Sequence, residues 1–188
     1  SQRFNKFGLT GCLTIYNSLF KNTSLFADKG SCEDVINLVS SKGEISTLSV
    51  DFAAYDALDI DFSEISIDQI DINKAGNDCI DVSSGIYSFS SAVVKFCGDK
   101  ALSVGESSYL LIESLKILEA SIGLSSKDSS IVDISSIETK DTDICLESKR
   151  KKQEFNGALI NLSSNKCNSE YVHADKYSKI LIKEESEL

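Results

Sequence analysis

Apolar and polar positions alternate along this chain in a pattern that returns every 22 residues. The segment Asp56–Phe62 is followed 22 positions later by the similar Asp78–Ser84 and preceded 22 positions earlier by Asp34–Ser40. Within each segment the alternation has a period of two, which is the period of a strand with one buried face. The pattern therefore predicts short β-strands that recur once in each 22-residue unit.

Stepping through the sequence by 22 residues sorts the side chains into columns of one chemical kind. One column is apolar throughout: Ile36, Leu58, Ile80, Leu102, Leu124 and Leu146. The preceding column is nearly all small: Val35, Ala57, Cys79, Ala101, Gly123 and Cys145. The following column is polar: Asn37, Asp59, Asp81, Ser103, Ser125 and Glu147. A later column joins Ile45, Ile67, Phe89 and Leu111.

Each unit holds about three short strands joined by polar turns, and no window keeps a helical period. A unit of this kind cannot close its own core, so it must stack on its neighbours, at roughly 4.8 Å per layer. The pattern predicts an all-β, right-handed parallel β-helix with turns of about 22 residues and about six to eight turns. A leucine-rich repeat is the alternative, but Asn37 is not repeated as that repeat requires.

The chain has the length of one domain, and we expect residues 1–188 to form a single β-helix. Residues 1–30 are predicted to be an N-terminal cap or irregular first turn, and residues 31–157 the regular turns. Residues 158–188 are predicted to hold the last turns, with strands at 158–162 and 179–182, and a frayed tail from Lys183. Because the chain starts at Ser1 and contains no Met, we expect it to be a piece of a longer protein.

The amino-acid composition limits the classes of partner that the chain is expected to bind. The net charge of −10 and the presence of only two arginines argue against nucleic acid, whose phosphates attract clustered basic residues. The basic run 149–152 is predicted to be a solvated loop, with an anionic partner as the alternative. No apolar run is long enough to span a bilayer, and no signal peptide is visible, so membrane insertion is not expected.

The six cysteines have wide spacings and no Cys-x-x-Cys pair, which argues against structural zinc. Several of them fall in the small-residue column, so burial as small apolar side chains is the favoured interpretation. One or two disulfides stay open as the alternative, because an even number of cysteines in an exported chain can pair.

Several segments resemble the β-helix modules of bacterial exported and surface proteins, some of which also carry spore-coat-type (CotH-like) kinase modules. The resembling segments are Asp56–Ser63, Gly76–Ser84, Gly98–Glu106, Ile122–Asp128 and Lys151–Gly157. Together they lie within residues 43–160, and the broader pattern is similar to the pectin-lyase-like superfamily. The resemblance implies an extracellular or cell-surface location and other domains in the same parent chain. It does not fix the chemistry, since that superfamily includes lyases, hydrolases and non-catalytic modules.

The candidate site is acidic. Asp59 and Asp81 occupy neighbouring turns of the outward polar column, Asp56 and Asp78 lie three residues before them, and Asp61 follows Asp59 on the same face. Crowded carboxylates raise one another's pKa or recruit a cation, and Ca²⁺ prefers such oxygen ligands. These five residues are therefore the predicted calcium ligands, with a solvated strand face as the alternative.

The same face is the candidate for chemistry on polysaccharides. Glycoside hydrolysis uses two carboxylates, which Asp59 and Asp81 would supply, and Lys100 is the predicted basic residue beside them. The absence of arginine from the repeated face counts against a lyase. The only histidine, His173, lies beyond the clear repeats and is predicted to be a surface or cap residue. Nucleotide-binding, metalloprotease and serine-hydrolase motifs are absent.

The sequence thus favours a non-catalytic β-helix scaffold of a larger exported bacterial protein, binding polysaccharide or cations. A polysaccharide-acting enzyme that uses the stacked aspartates is the alternative. The two differ in one feature: an enzyme needs a groove walled by long loops, whereas most turns here are short.

Overall fold

Parallel β-strands are the regular elements of the part of the chain that the structure describes. The computed structural model describes residues 9–167 and 171–183, and no helix occurs among them. Its thirteen strands are β1 (Gly11–Tyr16), β2 (Leu19–Gly30), β3 (Asp34–Val39), β4 (Lys42–Ala53), β5 (Asp56–Asp61), β6 (Glu64–Ile72), β7 (Ile80–Ser83), β8 (Ile86–Gly105), β9 (Tyr109–Lys127), β10 (Ile131–Lys149), β11 (Leu159–Lys166), β12 (Val172–Ala174) and β13 (Lys179–Ile182).

All strand pairs are parallel, and each strand pairs with the strand one coil further along the chain. The pairing confirms the predicted all-β parallel β-helix, with about eight coils. Residues of each coil fall on three faces. The first face holds β1, β3, β5, β7, residues 100–105, 122–127 and 144–149, and β12. The second face holds residues 19–20, 42–45, 64–67, 86–89, 109–112, 131–134 and 159–162, and β13. The third face holds the remaining parts of β2, β4, β6, β8, β9, β10 and β11.

The interior is apolar along the full stack. The predicted apolar column lies in it: Ile36, Leu58, Ile80, Leu102, Leu124 and Leu146 are all fully buried. Side chains from the second and third faces, such as Phe89 and Leu115, fill the same core. Since no single coil encloses these side chains, burial depends on stacking, as the repeat pattern predicted.

Each coil turns after the first face at a residue with left-handed backbone. Ser40, Phe62 and Ser84 have φ of 51° each and lie 22 residues apart. The next residue closes the corner through its hydroxyl: Ser63 Oγ donates to the Asp61 carbonyl at 2.7 Å and accepts the Ser41 N–H at 3.0 Å. Because this bond joins successive coils, the corner holds the stack together as well as turning the chain.

The period is not 22 residues everywhere, and one predicted column is wrong at its end. In the second face Phe89 pairs with Ile112, and Tyr109 pairs with Ile86, a spacing of 23. The added residue lies at the corner where Glu106 and Ser107 both have positive φ. Leu111 is therefore exposed and does not continue the buried column of Phe89.

The cysteines are all paired, so the interpretation of them as unpaired core side chains is wrong. The disulfides are Cys12–Cys32, Cys79–Cys97 and Cys145–Cys167, with Cα–Cα distances of 5.3, 5.4 and 6.0 Å. The predicted burial is nevertheless present at two of them, because the disulfide-bonded Cys79 and Cys145 are fully buried. In each disulfide, one cysteine lies near the start of the first-face segment of a coil. Its partner lies on the third face of the same coil or just after that face ends.

The structure of the two chain ends agrees in part with the structure predicted from the sequence. The predicted terminal strands are present as β11 and β13, and β1 and β2 already pair with the next coil. The first eight residues of the expected cap and residues 184–188 of the expected frayed tail lie outside the described residues. In the described part of the chain, no helix is long and apolar enough to cross a membrane.

Candidate functional site

The predicted acidic residues lie on the outer side of the first face. Parallel register places one polar column along it: Thr14, Asn37, Asp59, Asp81, Ser103, Ser125, Glu147 and His173. Asp59 and Asp81 are direct neighbours, as predicted. The column is poorly exposed, since Ser103 and Ser125 are fully buried although they point away from the core.

Asp56 and Asp78 bind the backbone of the following coil. Asp56 Oδ1 accepts the Asp78 N–H at 2.8 Å and the Asn77 amide at 2.6 Å. Asp78 Oδ1 in turn accepts the Lys100 N–H at 3.0 Å. Burial raises the pKa of both carboxyls. Their repetition at 22 residues is thus explained by a structural role, because each carboxylate satisfies an N–H group at a coil junction.

Asp59 and Asp61 lie two residues apart on one face of β5, and each accepts a hydrogen bond from a neighbouring coil. The Asn37 amide donates to Asp59 Oδ2 at 2.9 Å, and the Ser83 hydroxyl donates to Asp61 Oδ1. Burial first, and then the charges of Asp61 and Asp34, raise the pKa of Asp59 far above its usual range. This environment favours the protonated form of Asp59.

Asp34 completes this acidic group, although only the five aspartates after it were predicted as ligands. The residue is 2% exposed, and its Oδ2 atom has no hydrogen-bond partner among the described residues. Burial raises its pKa to about 6, against a hydrogen bond with Thr10 that lowers it. Its place one coil before Asp56 was the available sequence signal.

Lys127 is the basic residue whose charge acts on Asp81 without a direct ion pair among the described residues, and sequence reasoning missed it. Burial raises the pKa of Asp81 to about 6, while the Lys127 charge opposes the rise. Lys127 is only 8% exposed. Its side chain passes over Gly105 in the neighbouring coil, where an added Cβ would make an ordinary contact with Lys127 Cε at 3.7 Å.

Lys100 does not take the role that the sequence predicted beside Asp81. Its ammonium group lies 3.4 Å from Asp78 Oδ1 and also contacts Asp99. The cause is its position at the start of the first-face strand, next to the coil junction that Asp78 caps. Lys74 and Lys95, the nearby lysines of the preceding turns, lie at a corner and on the third face.

The C-terminal half of the first face is also paired within the protein. Glu147 accepts from the Ser125 hydroxyl at 2.8 Å and lies 2.8 Å from the Lys149 ammonium group, and these partners lower its pKa although burial opposes them. Lys152 pairs with Glu106. His173 is exposed and stacks on Tyr171 at the last coil, as expected of a cap histidine.

The basic run is a loop, as predicted. Lys149 ends β10, and the Arg150 guanidinium lies 3.7 Å from the centre of the Tyr177 ring. Asp128 accepts the Lys151 and Lys152 N–H groups at 2.6 and 2.7 Å, which fixes the start of the loop. The run therefore serves the local fold through its backbone.

Calcium binding at Asp56, Asp59, Asp61, Asp78 and Asp81 stays a prediction. Within residues 9–167 and 171–183, no three acidic, histidine or cysteine side chains are grouped so as to hold a metal ion. Two of the five carboxylates already bind backbone N–H groups. Thermal unfolding in calcium and in EGTA would test the prediction.

Comparison of the chain with protein-family models, with curated proteins and with solved structures finds no significant match. The likeness to pectin-lyase-like modules therefore rests on the quoted segments and on the parallel β-helix.

Proposed function

We propose that this chain is a non-catalytic β-helix scaffold and binding module of a larger exported bacterial protein. One observation carries the proposal: the charged groups of the first face bind the protein itself. Asp56 and Asp78 cap backbone N–H groups, the Lys127 charge opposes the rise in the pKa of Asp81, and Glu147 pairs with Lys149. Groups arranged in this way neutralise one another and hold neighbouring coils together.

The disulfides support an exported location. Three bridges join all six cysteines, and bridges of this kind persist in oxidising compartments such as the periplasm and the cell exterior. Stapled parallel coils form a rigid rod, which suits a module that spaces or displays other domains of its parent chain.

A turnover screen tests the proposal. The protein is incubated with uronate-rich and neutral polysaccharides, with and without Ca²⁺, and unsaturated and reducing ends are measured. We expect no release above that of a heat-inactivated sample. Release that Asp81→Ala abolishes, in a variant whose far-UV circular dichroism is unchanged, would overturn the scaffold.

A polysaccharide-acting enzyme is the second candidate, and one feature favours it. Asp59, whose pKa burial raises far above its usual range, lies beside Asp81, a carboxyl with a pKa of about 6 on which the Lys127 charge acts. An acid and a base of separated pKa on one face is the arrangement that glycoside hydrolysis requires. If this candidate holds, Lys127→Met lowers turnover, whereas Lys100→Met, which removes a lysine bound at Asp78 and Asp99, leaves it nearly unchanged.

A further inference from the structure

The second face carries an exposed apolar stripe that its own coils leave uncovered. Register aligns Ile86, Tyr109 and Ile131 as direct neighbours, followed by Leu159. Ile86 is 59% exposed, Tyr109 39% and Ile131 40%. Leu111, two residues after Tyr109, is 42% exposed. At about 4.8 Å per coil, these side chains form a stripe parallel to the stacking direction.

Polar groups along the edge of the stripe hold its aromatic ring in place. The Tyr109 hydroxyl donates to Asp133 Oδ2 at 2.6 Å, and the Asn161 amide donates to Asp133 Oδ1 at 2.7 Å. Both donors come from neighbouring coils, so the ring, the carboxylate and the amide form one fixed array. A ligand that binds there does not have to order them, which lowers the cost of binding.

The stripe continues into a shallow cleft at its N-terminal end. The cleft is lined by Ile86 together with the hydroxyls of Ser66 and Ser88, and by the Lys42–Glu64 ion pair, whose charged atoms lie 2.9 Å apart. Apolar surface combined with a few placed polar groups is typical of small-molecule and saccharide sites.

The charge of the second face indicates which class of ligand it would bind. The charged outward residues of this surface are Asp133, which two donors bind, and, in the cleft, Glu44 and the paired Lys42 and Glu64, so the surface is weakly negative. The chain as a whole carries −10, which repels a polyuronate and also a second copy of itself. A partner with apolar ring faces, many hydroxyls and no charge meets both conditions.

We propose that the second face, from the cleft at Ser66 to Asn161, binds a neutral polysaccharide chain that lies along the stack. Sugar rings pack on Tyr109, Ile86 and Ile131, and their hydroxyls bond to Asp133, Asn161 and the serines. The proposal rests on the scaffold function and names its ligand class and its surface. It leaves the acidic first face out of ligand binding.

Affinity electrophoresis in gels that contain xyloglucan, galactomannan or polygalacturonate tests the proposal. We expect retardation in at least one neutral gel and none in polygalacturonate. Tyr109→Ala should weaken that retardation at least tenfold. Phe62→Ala is the matched control, because Phe62 is an exposed aromatic residue on the corner after the first face. It should bind as the unmodified chain does.

Three results would overturn the proposal: no retardation in either neutral gel, equal retardation of the chain and its Tyr109→Ala variant, or retardation by polygalacturonate alone. Sedimentation adds a fourth, a dimer that Tyr109→Ala dissociates, which would assign the stripe to a second copy. The two proposals can fail separately. Product release in the turnover screen would contradict the non-catalytic function, but it would not change which face binds neutral glycan.

Discussion

Tyr87 shows how one residue maintains the corner of a coil when the repeated residue is missing. Its hydroxyl donates to the Ser83 carbonyl at 2.7 Å and lies 3.0 Å from the Ile60 carbonyl. In the preceding coil the Ser63 hydroxyl bonds the equivalent carbonyl. Gly85 takes the serine position here, and a Cβ on it would lie 2.3 Å from the Tyr87 hydroxyl. The tyrosine therefore replaces the serine bond from inside the core.

Removing this hydroxyl should destabilise the chain. Tyr87→Phe removes a buried hydroxyl donor from the Ser83 carbonyl, which keeps only the Phe62 N–H at 3.1 Å, and we expect a loss of about 1 kcal/mol in the free energy of unfolding. Tyr109→Phe removes an exposed hydroxyl and should change it by less than about 0.5 kcal/mol. Equal midpoints for the two variants in urea would show that the Tyr87 bonds do not support the corner.

The buried aspartates predict that stability falls as pH rises. The folded pKa of Asp34 is about 6, above its ordinary 3.8, because burial disfavours the charged form. The folded state therefore binds this proton more tightly than the unfolded state. The resulting stability is complete below pH 3.8 and is lost as pH rises through 6. Asp81 acts in the same direction.

Urea midpoints measured from pH 4.5 to 8 check this direction. Asp34→Asn should flatten the decline, because it removes one of the titrating groups. The exposed Asp141→Asn is the control and should keep the slope of the unmodified chain. A midpoint that rises with pH, or an unchanged slope in Asp34→Asn, would contradict the assigned burial.

At the scale of the elements, close stacking of coils limits which residues the corners accept. A Cβ at Gly98 would lie 2.2 Å from the Gly76 carbonyl oxygen one coil earlier, which is a clash with backbone. Gly98→Ala should therefore cost roughly 2 kcal/mol in the free energy of unfolding. At Gly105 the nearest atom is 3.7 Å away, so Gly105→Ala should be almost neutral. Thermal unfolding of the two alanine variants tests this difference. Equal midpoints would show that coil stacking does not restrict the residue at position 98.

The element scale also shows what could be predicted from the sequence. Asp59 beside Asp81 was predictable, because the first face keeps a spacing of 22 residues between those coils. In the second face the spacing between paired residues becomes 23 at the Glu106–Ser107 corner. No residue type at that corner indicates in the sequence that a position has been added. Lys127 was missed for another reason: its charge acts on Asp81 across two coils, and the repeat pattern describes only neighbours.

The cysteine pairs were unpredictable for a related reason. Cys79 repeats as Cys145 in a column of small buried residues, and that pattern alone fits packing as well as pairing. Pairing depends on where the third face returns to the first, and the sequence does not define that distance. The structure brings the partner Cα atoms to within 5.3–6.0 Å, which is the range of a disulfide.

For the whole molecule, the disulfides distribute constraint along the stack. Cys12, Cys79 and Cys145 belong to one column and stand three coils apart, and each bridge closes one coil. Closing a loop of this size is worth about 3 kcal/mol through the unfolded chain. The first, a central and a late coil are thereby each stabilised.

Alkylation followed by mass spectrometry tests the bridges. In the denatured, unreduced protein we expect no added label, and after reduction we expect labels on all six cysteines. Label on Cys79 or Cys97 before reduction would contradict the central bridge and remove the main support for an exported location.

The central claim is that the charged first face maintains the fold. A double-mutant cycle of Lys127→Met and Asp81→Asn, measured by urea unfolding at pH 7.5, tests it most directly. Lys127→Met alone should destabilise the chain, because it leaves the Asp81 carboxylate buried without its cation. In the Asp81→Asn background the same change should cost less, with a coupling energy of about 1 kcal/mol or more. A Lys127→Met variant as stable as the unmodified chain, with no coupling, would contradict the claim and favour a catalytic face.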